Sequence, residues 1–283
     1  MRNALATAAT LIALGVVSLA AQTRVAFEVT SVRLNTSSER QASMRFSPGG
    51  DFTAIQQPVR VLLNFAYQIP LFRVEGMPDW FTTERYDVVA KAPAGLTMEP
   101  FATVRGQLLR SLLEDRFKLR ARLVTKEMPA MILAVARDDG QLGPQFRQVE
   151  VDCETAIAAA RGRAAAPATP RVPVCALGGG SSGIMCGRGV TMAQITQGLT
   201  GVYQRPVVNM TGLEGQFDFD LLFTPDVKGG PGVAFGGGSC GGPTGDRPAL
   251  STAMQEQLGL RISGGRAPVE VLVIESAERP TEN

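Results

Sequence analysis

The sequence predicts an α+β fold built as a tandem duplication of a helix/strand unit, with the helices packed on a mainly antiparallel sheet. The stronger copy begins at residues 190–225, where an amphipathic helix, a short strand, a turn bounded by glycines and an alternating strand follow one another. A weaker copy of this order lies at residues 59–92. Both copies continue into a second amphipathic helix and a closing strand, and this recurrence indicates duplication.

The first copy is preceded by predicted strands. Residues 25–34 alternate and are rich in β-branched side chains, which is typical of a strand. Residues 44–55 predict a hairpin that turns at Pro48-Gly49-Gly50. Pro58 suits the first turn of a helix because its φ is fixed, and apolar residues at helical spacing follow as far as Tyr67.

One more helix and several short strands complete the first copy. Strands are predicted at residues 72–76, 85–90, 119–124 and 130–136, and a helix at residues 101–117. We expect the last two strands to pair with each other, because Lys126-Glu127-Met128-Pro129 lies between them like a turn.

The second copy repeats these elements in the same order. Residues 206–210 match 70–74, 217–221 match 86–90, 250–260 match 109–119, and 269–275 match 130–136. Asp218 is therefore the counterpart of Asp87.

These matches divide the chain into segments. We expect a signal peptide at residues 1–20, a first α+β repeat at 24–137, a linker or excursion with cysteines at 138–189, and a second repeat at 190–283 with a glycine-rich insertion at 228–247.

The N-terminus predicts export. Arg2 precedes a run of small and apolar residues, and Ser18-Leu19-Ala20 resembles a cleavage site. The run is short for a spanning helix, although a retained helix or lipid anchor is the alternative. We expect the mature chain to lie in the periplasm or outside the cell, with no membrane span.

Composition excludes several kinds of chemistry. The chain has no histidine, so catalytic triads that need one and metal sites with histidine ligands are excluded. Its net charge of +2 gives no general attraction for nucleic acid. We expect no cofactor and no metal.

The four cysteines are candidates for disulfides. An exported chain meets an oxidising compartment, and Cys153, Cys175, Cys186 and Cys240 form an even set. Three pairings are possible, and the sequence leaves all three open.

Four separated blocks resemble the soil-associated exported-protein family, a domain of unknown function expanded in acidobacteria. The blocks are residues 76–93, 112–136, 205–226 and 267–283. Relatives usually carry Asp-Lys-Thr-Gly-Leu where this chain has Asn209-Met210-Thr211-Gly212-Leu213, and often Ile-Asp where it has Ile274-Glu275. Some relatives are fused to membrane metallopeptidases of the β-lactam-sensor type, so the resemblance implies an extracytoplasmic sensor or partner module with no established activity.

Two carboxylates form one candidate site. Asp218 and Asp220 are two residues apart on a predicted strand and therefore share a face. Paired carboxylates can perform acid/base chemistry or bind a ligand. The alternative is the solvated side of a half-buried strand, and the counterpart Asp87 favours that structural role.

Two turns provide the other candidate binding residues. Asp79 and Trp80 follow a proline turn, where an aromatic ring can form a ligand platform or close the end of a core. Asn209 and Thr211 begin the glycine-bounded turn of the second copy, which either binds a ligand or only shapes the backbone.

Together these features predict a non-enzymatic binding or interaction module of sensor type, with an unknown envelope ligand or protein as its partner and no nucleic acid. A carboxylate-based hydrolase of envelope polysaccharide, using Asp87, Asp218 and Asp220, is the first alternative. A structural envelope protein is the second.

Overall fold

The chain folds into three β-sheets with helices packed against them. The structure is a computed structural model that describes residues 24–38, 41–98, 101–161, 175–180, 183–224, 240 and 246–281. The strands in these residues are β1 (Val29–Leu34), β2 (Ser43–Phe46), β3 (Phe52–Pro58), β4 (Val74–Glu75), β5 (Arg85–Lys91), β6 (Arg120–Val135), β7 (Phe146–Val149), β8 (Ala176–Gly180), β9 (Ile184–Thr191), β10 (Val207–Asn209), β11 (Gln216–Leu222) and β12 (Leu260–Ser276). The helices are α1 (Val59–Tyr67), α2 (Trp80–Thr83), α3 (Phe101–Arg116), α4 (Cys153–Arg161), α5 (Met192–Tyr203) and α6 (Leu250–Ala253), which continues as a π-helical turn at Met254–Leu258. The sheets are mostly antiparallel, which confirms the predicted α+β class.

Two outer sheets share one plan. The first has the strand order β1-β5-β3-β2, and the second has β7-β11-β9-β8. A helix follows the third strand of each order, α1 after β3 and α5 after β9. Each helix also ends on a glutamine in the left-handed region, Gln68 and Gln204, followed two residues later by a proline. The matching plan confirms the tandem duplication.

The central sheet joins the two repeats. Its order is β10-β6-β12-β4, and β6 and β12 pair antiparallel along almost their whole length. The short strand β10 of the second repeat runs parallel to β6 of the first, and β4 of the first runs parallel to β12 of the second. Each repeat therefore adds its short strand to the long strand of the other.

Each hydrophobic core also contains side chains from the long strand of the other repeat. The first core is lined by the inner face of the first outer sheet, by α1 and α3, and by Leu272 and Ile274 of β12. The second core contains Leu133 of β6, together with α5, α6 and the inner faces of β9 and β11. The end of each long strand is thus buried in the core of the other repeat.

The predicted hairpin at residues 119–136 is wrong, because β6 is one continuous strand whose partner is β12. Pro129 was expected to break it. Met131 N–H donates to the carbonyl of Pro206 (2.7 Å), so the nitrogen of Pro129, two residues earlier, points to the same side, away from β12. A proline there removes no bond of the β6–β12 ladder, which is how edge strands tolerate proline.

The segment 138–189, expected to be a linker or excursion with cysteines, contains regular structure. Its described residues include β7, α4, β8 and most of β9, and all three strands belong to the second outer sheet. The glycines that predicted a linker are compatible with strands, since Gly178 of β8 and Gly187 of β9 are buried. The predicted signal peptide and nearly all of the glycine-rich insertion at 228–247 lie outside the described residues, and the division into two repeats at residue 190 stays a prediction.

A substitution of Leu133 tests whether the end of β6 belongs to the core of the other repeat. Replacing it with alanine should lower the free energy of unfolding by about 2–5 kcal/mol, because the side chain is fully buried. Native-state hydrogen exchange should rise in α5 and β11 more than in α1 and β5, although Leu133 follows α3 in the chain. Leu63→Ala in the first core is the matched control and should have the reverse pattern. If hydrogen exchange in the Leu133 variant became faster only in α1 and β5, Leu133 would not belong to the second core.

Candidate functional site

Asp87 and Asp218 occupy the same position in the two outer sheets. Each lies opposite an irregularity in the neighbouring strand, at Gln56 of β3 and Gly189 of β9, where the backbone has φ of 52° and 62°. Gln56 N–H donates to Asp87 (2.9 Å), and Gly189 N–H donates to Asp218 (2.7 Å). An extra strand residue leaves its N–H outside the ladder, so each carboxylate supplies the missing acceptor. Both aspartates therefore stabilise a repeated backbone feature.

Asp220 shares a face with Asp218, as their spacing predicts. Arg188 on the neighbouring strand donates two hydrogen bonds from one guanidinium nitrogen to its two carboxylate oxygens, at 2.8 and 2.9 Å. Asp87 lies in the other outer sheet, where Asn35 also donates to it at 2.8 and 3.0 Å. All three carboxylates are thus held by neighbouring donors, and Asp87 lies in a different sheet from the other two.

Trp80 closes one end of the first core. Its ring stacks on Phe117 at 6.2 Å between centroids and meets Phe81 edge-on at 4.5 Å. The guanidinium of Arg279 lies 5.4 Å from its centroid on the outer side. Asp79 beside it is exposed. Of the two roles that the sequence left open for Trp80, the contacts match the closing of a core.

The chain after β12 holds Trp80 in place. Glu278 N–H donates to the carbonyl of Phe117 (2.7 Å), and Arg279 forms a salt bridge with Glu84 at 2.7 Å. The hydrogen bond from Arg279 lowers the pKa of Glu84, and burial together with the Glu84 bond raises the pKa of Tyr86. The residues after β12 therefore pack against the segment around Trp80.

Asn209 and Thr211 satisfy each other. The Asn209 side-chain oxygen accepts from the Thr211 backbone N–H (3.0 Å) and hydroxyl (2.7 Å), and the Thr211 hydroxyl accepts from Leu213 N–H (3.1 Å). Such bonds shape a turn without a ligand. The six predicted binding residues therefore lie in three separate places: Asp79 with Trp80, Asn209 with Thr211, and Asp218 with Asp220.

The disulfides tie two segments to the second outer sheet. Cys153 pairs with Cys175, and Cys186 pairs with Cys240, at sequence separations of 22 and 54. Gln216 of β11 donates to the Cys153 sulfur (3.0 Å), which places the start of α4 on that sheet. In the chain-entropy model closed loops of this size contribute about 3–4 kcal/mol each. The first disulfide thus links the start of α4 to the residue before β8, and the second links Cys240 to β9.

The first outer sheet carries a surface that the sequence-based candidates missed. The side of this sheet that faces away from the core is called here the open face. Its outward positions are Val29, Ser31, Arg33, Ser43, Arg45, Thr53, Ile55, Arg85, Asp87, Val89 and Lys91. Three of them are large aliphatic residues exposed to solvent, Val29 (64%), Ile55 (41%) and Val89 (59%).

The corresponding positions of the second outer sheet, as far as the structure describes them, carry no such exposed aliphatic side chains. When the β3–β5 pairing is matched to the β9–β11 pairing, Ile55 corresponds to Arg188 and Val89 to Asp220. The first repeat therefore has two exposed aliphatic residues where the second has a surface ion pair. The outward residues of β9 and β11 are half-buried or buried, Cys186 among them, whereas most outward residues of the first sheet are exposed. The second repeat thus covers its outer face, and the first leaves its face open.

The open face is also positively charged. Four cations, Arg33, Arg45, Arg85 and Lys91, lie on it with the single carboxylate of Asp87. Within the described residues, Arg33, Arg45 and Lys91 form no salt bridge. The sequence held one signal of this surface, since Val89 breaks the alternation of Tyr86, Val88 and Ala90 by placing an aliphatic on the polar side.

Among the described residues, no group of three or more acidic or cysteine side chains could hold a metal ion. The same residues include no helix that is long and apolar enough to cross a membrane.

Asp218 tests the role of the bulge carboxylates. Asp218→Ala leaves the Gly189 N–H without its acceptor and should lower the free energy of unfolding by about 1–3 kcal/mol in denaturant titrations. Asp218→Asn keeps an oxygen acceptor and should recover part of the loss. The control Asp220→Ala removes a partly exposed ion pair and should change stability by at most about 1 kcal/mol. A larger loss from Asp220→Ala than from Asp218→Ala would contradict this assignment.

Comparison with known proteins identifies a family. A family model described as "Protein of unknown function (DUF3738)" matches residues 60–277, from the first turn of α1 to the residue after β12. No curated protein and no solved structure matches the chain. The match covers the whole central sheet and well over half of the chain, so the chain belongs to the DUF3738 family of proteins of unknown function.

Proposed function

We propose that this chain is an exported, non-enzymatic interaction module that binds a partner protein through the open face. One observation carries the proposal: Ile55 and Val89 are exposed at the positions where the other repeat has the Arg188–Asp220 ion pair. Burying an aliphatic side chain of this size contributes about 1.5–3 kcal/mol, so two adjacent ones can anchor a partner.

Export is part of the proposal. The N-terminal residues have the composition of a signal peptide, and all four cysteines are paired in two disulfides. Disulfides persist in the periplasm and outside the cell, where thiols are not kept reduced. The resemblance to soil-associated exported proteins, some fused to sensor-type metallopeptidases, supports a role as a sensor or partner module in the envelope.

The chemistry of the partner follows from the charge of the face. Unpaired cations beside aliphatic side chains match a segment that combines Asp or Glu with aliphatic residues. A second copy of this chain would bring the same cations together, and like charges at an interface are unfavourable. We therefore assign the face to a different, acidic protein.

The carboxylate-based hydrolase receives no support from the geometry. Asp87, Asp218 and Asp220 each accept hydrogen bonds from neighbouring donors, and Asp87 lies in a different sheet. The proposal rests on the open face instead.

A displayed library of random peptides of about a dozen residues tests the function. Selection on the full oxidised chain should enrich peptides that combine acidic and aliphatic residues. An Ile55→Ser/Val89→Ser double variant should weaken the selected peptides by at least roughly tenfold, because it removes the aliphatic anchors.

Leu123→Ser is the matched control, since Leu123 is equally exposed (51%) but lies on the central sheet. It should leave the affinity unchanged. Peptides without acidic enrichment, or equal losses in the control and the double variant, would refute binding at the open face and favour a structural role.

A further inference from the structure

One edge of the first outer sheet is formed by β1, whose outward backbone groups have no partner among the residues that the structure describes. β1 bonds to β5 on one side, and in the described part of the chain no strand lies on its other side. Asn35 N–H donates to the carbonyl of Arg85 (2.8 Å), which fixes the odd-numbered residues as those bonded to β5. The N–H and C=O groups of Thr30, Val32 and Leu34 therefore point outward.

This edge carries little of what blocks strand addition, since Arg33 is the one charged residue of β1. The six residues of β1, Val-Thr-Ser-Val-Arg-Leu, contain no proline, glycine or lysine. The free edges of the β6–β12 ribbon carry Pro129 and Pro268, and Gly264-Gly265 of β12 lies opposite Met131 and Ala130. Prolines and charges are the usual protection of exposed edges. The chain protects the ribbon and leaves β1 open.

A side chain of β1 that faces the core side of the sheet is also left partly exposed. Leu34 projects on the core side of the sheet but is 43% exposed, as expected at a sheet that ends one strand early. Val29 and Arg33 lie on the open face of the same strand. An added strand would place one row of side chains beside Leu34 and the other row beside Val29 and Arg33.

We propose that the acidic partner binds by adding an extended segment to the edge of β1, with aliphatic residues next to Leu34 and acidic residues next to Arg33. This inference rests on the proposed function and specifies how one segment of the partner is held. The contacts with Ile55 and Val89 on the open face come from another part of the same partner. The backbone bonds give the affinity of such strand addition, and the alternating side chains give its specificity.

The charge pattern again selects the partner over a second copy. Pairing β1 with β1 of another molecule would put two copies of Arg33 on one face, which also carries Lys91 and Arg45. An alternating acidic segment puts carboxylates there.

A synthetic peptide, Val-Glu-Val-Glu-Val-Glu-Val with both ends capped, provides the probe. In an added strand only alternate N–H groups bond to the edge. N-methylation of one alternate set of residues should therefore weaken binding to the full oxidised chain by at least roughly tenfold, and methylation of the other set by less than about twofold. The peptide should also slow hydrogen exchange at Thr30, Val32 and Leu34. A peptide with Lys in place of Glu is the charge control and should not bind.

Each other outcome decides against strand addition. Equal losses from the two methylated sets, with the Ile55→Ser/Val89→Ser effect retained, would show binding to the open face without an added strand and leave the proposed function standing. Binding of acidic library peptides without binding of the alternating peptide would do the same. Protection of Thr30, Val32 and Leu34 that rises with protein concentration alone would assign the edge to a second copy.

Discussion

The antiparallel pairing of β6 with β12 is the interaction on which the rest of the structure depends. It runs from Leu260 opposite Val135 to Ser276 opposite Arg120, and it holds together two repeats that are otherwise separate sheets and helices. Its ends are buried in opposite cores, Leu133 in the second and Leu272 in the first. Neither core is complete without the strand of the other repeat, so the duplication forms one folding unit.

Duplication also provides an internal comparison that a single domain would lack. The bulge carboxylates Asp87 and Asp218 are present in both repeats and belong to the fold. The outer faces have diverged: the outward residues of β9 and β11 are buried or half-buried, whereas the first sheet exposes aliphatics and cations. The difference between the two repeats thus singles out the open face of the first outer sheet as the surface that the shared fold does not account for.

Local patterns predicted much of the fold. The apolar spacing of α1 and α5 and the alternation of β5 and β11 are each contained in a few consecutive residues, so sequence was sufficient for them. The ribbon was missed because Pro129 resembles a turn locally, and its tolerance depends on a partner strand far along the chain. The open face was missed because exposure of Val89 depends on what covers a sheet, which residue type does not reveal. The sequence left two roles open for Trp80 because its packing partners, Phe117 and Arg279, lie far along the chain.

Denaturant unfolding of the oxidised chain tests the central claim that the ribbon makes the two repeats one cooperative unit. Fluorescence of Trp80, the only tryptophan, reports the first core, and the methyl NMR signals of Leu199 report the second. The account predicts that both probes change at the same denaturant concentration, in a single transition. Two separated midpoints, with one core lost while the other stays native, would contradict it.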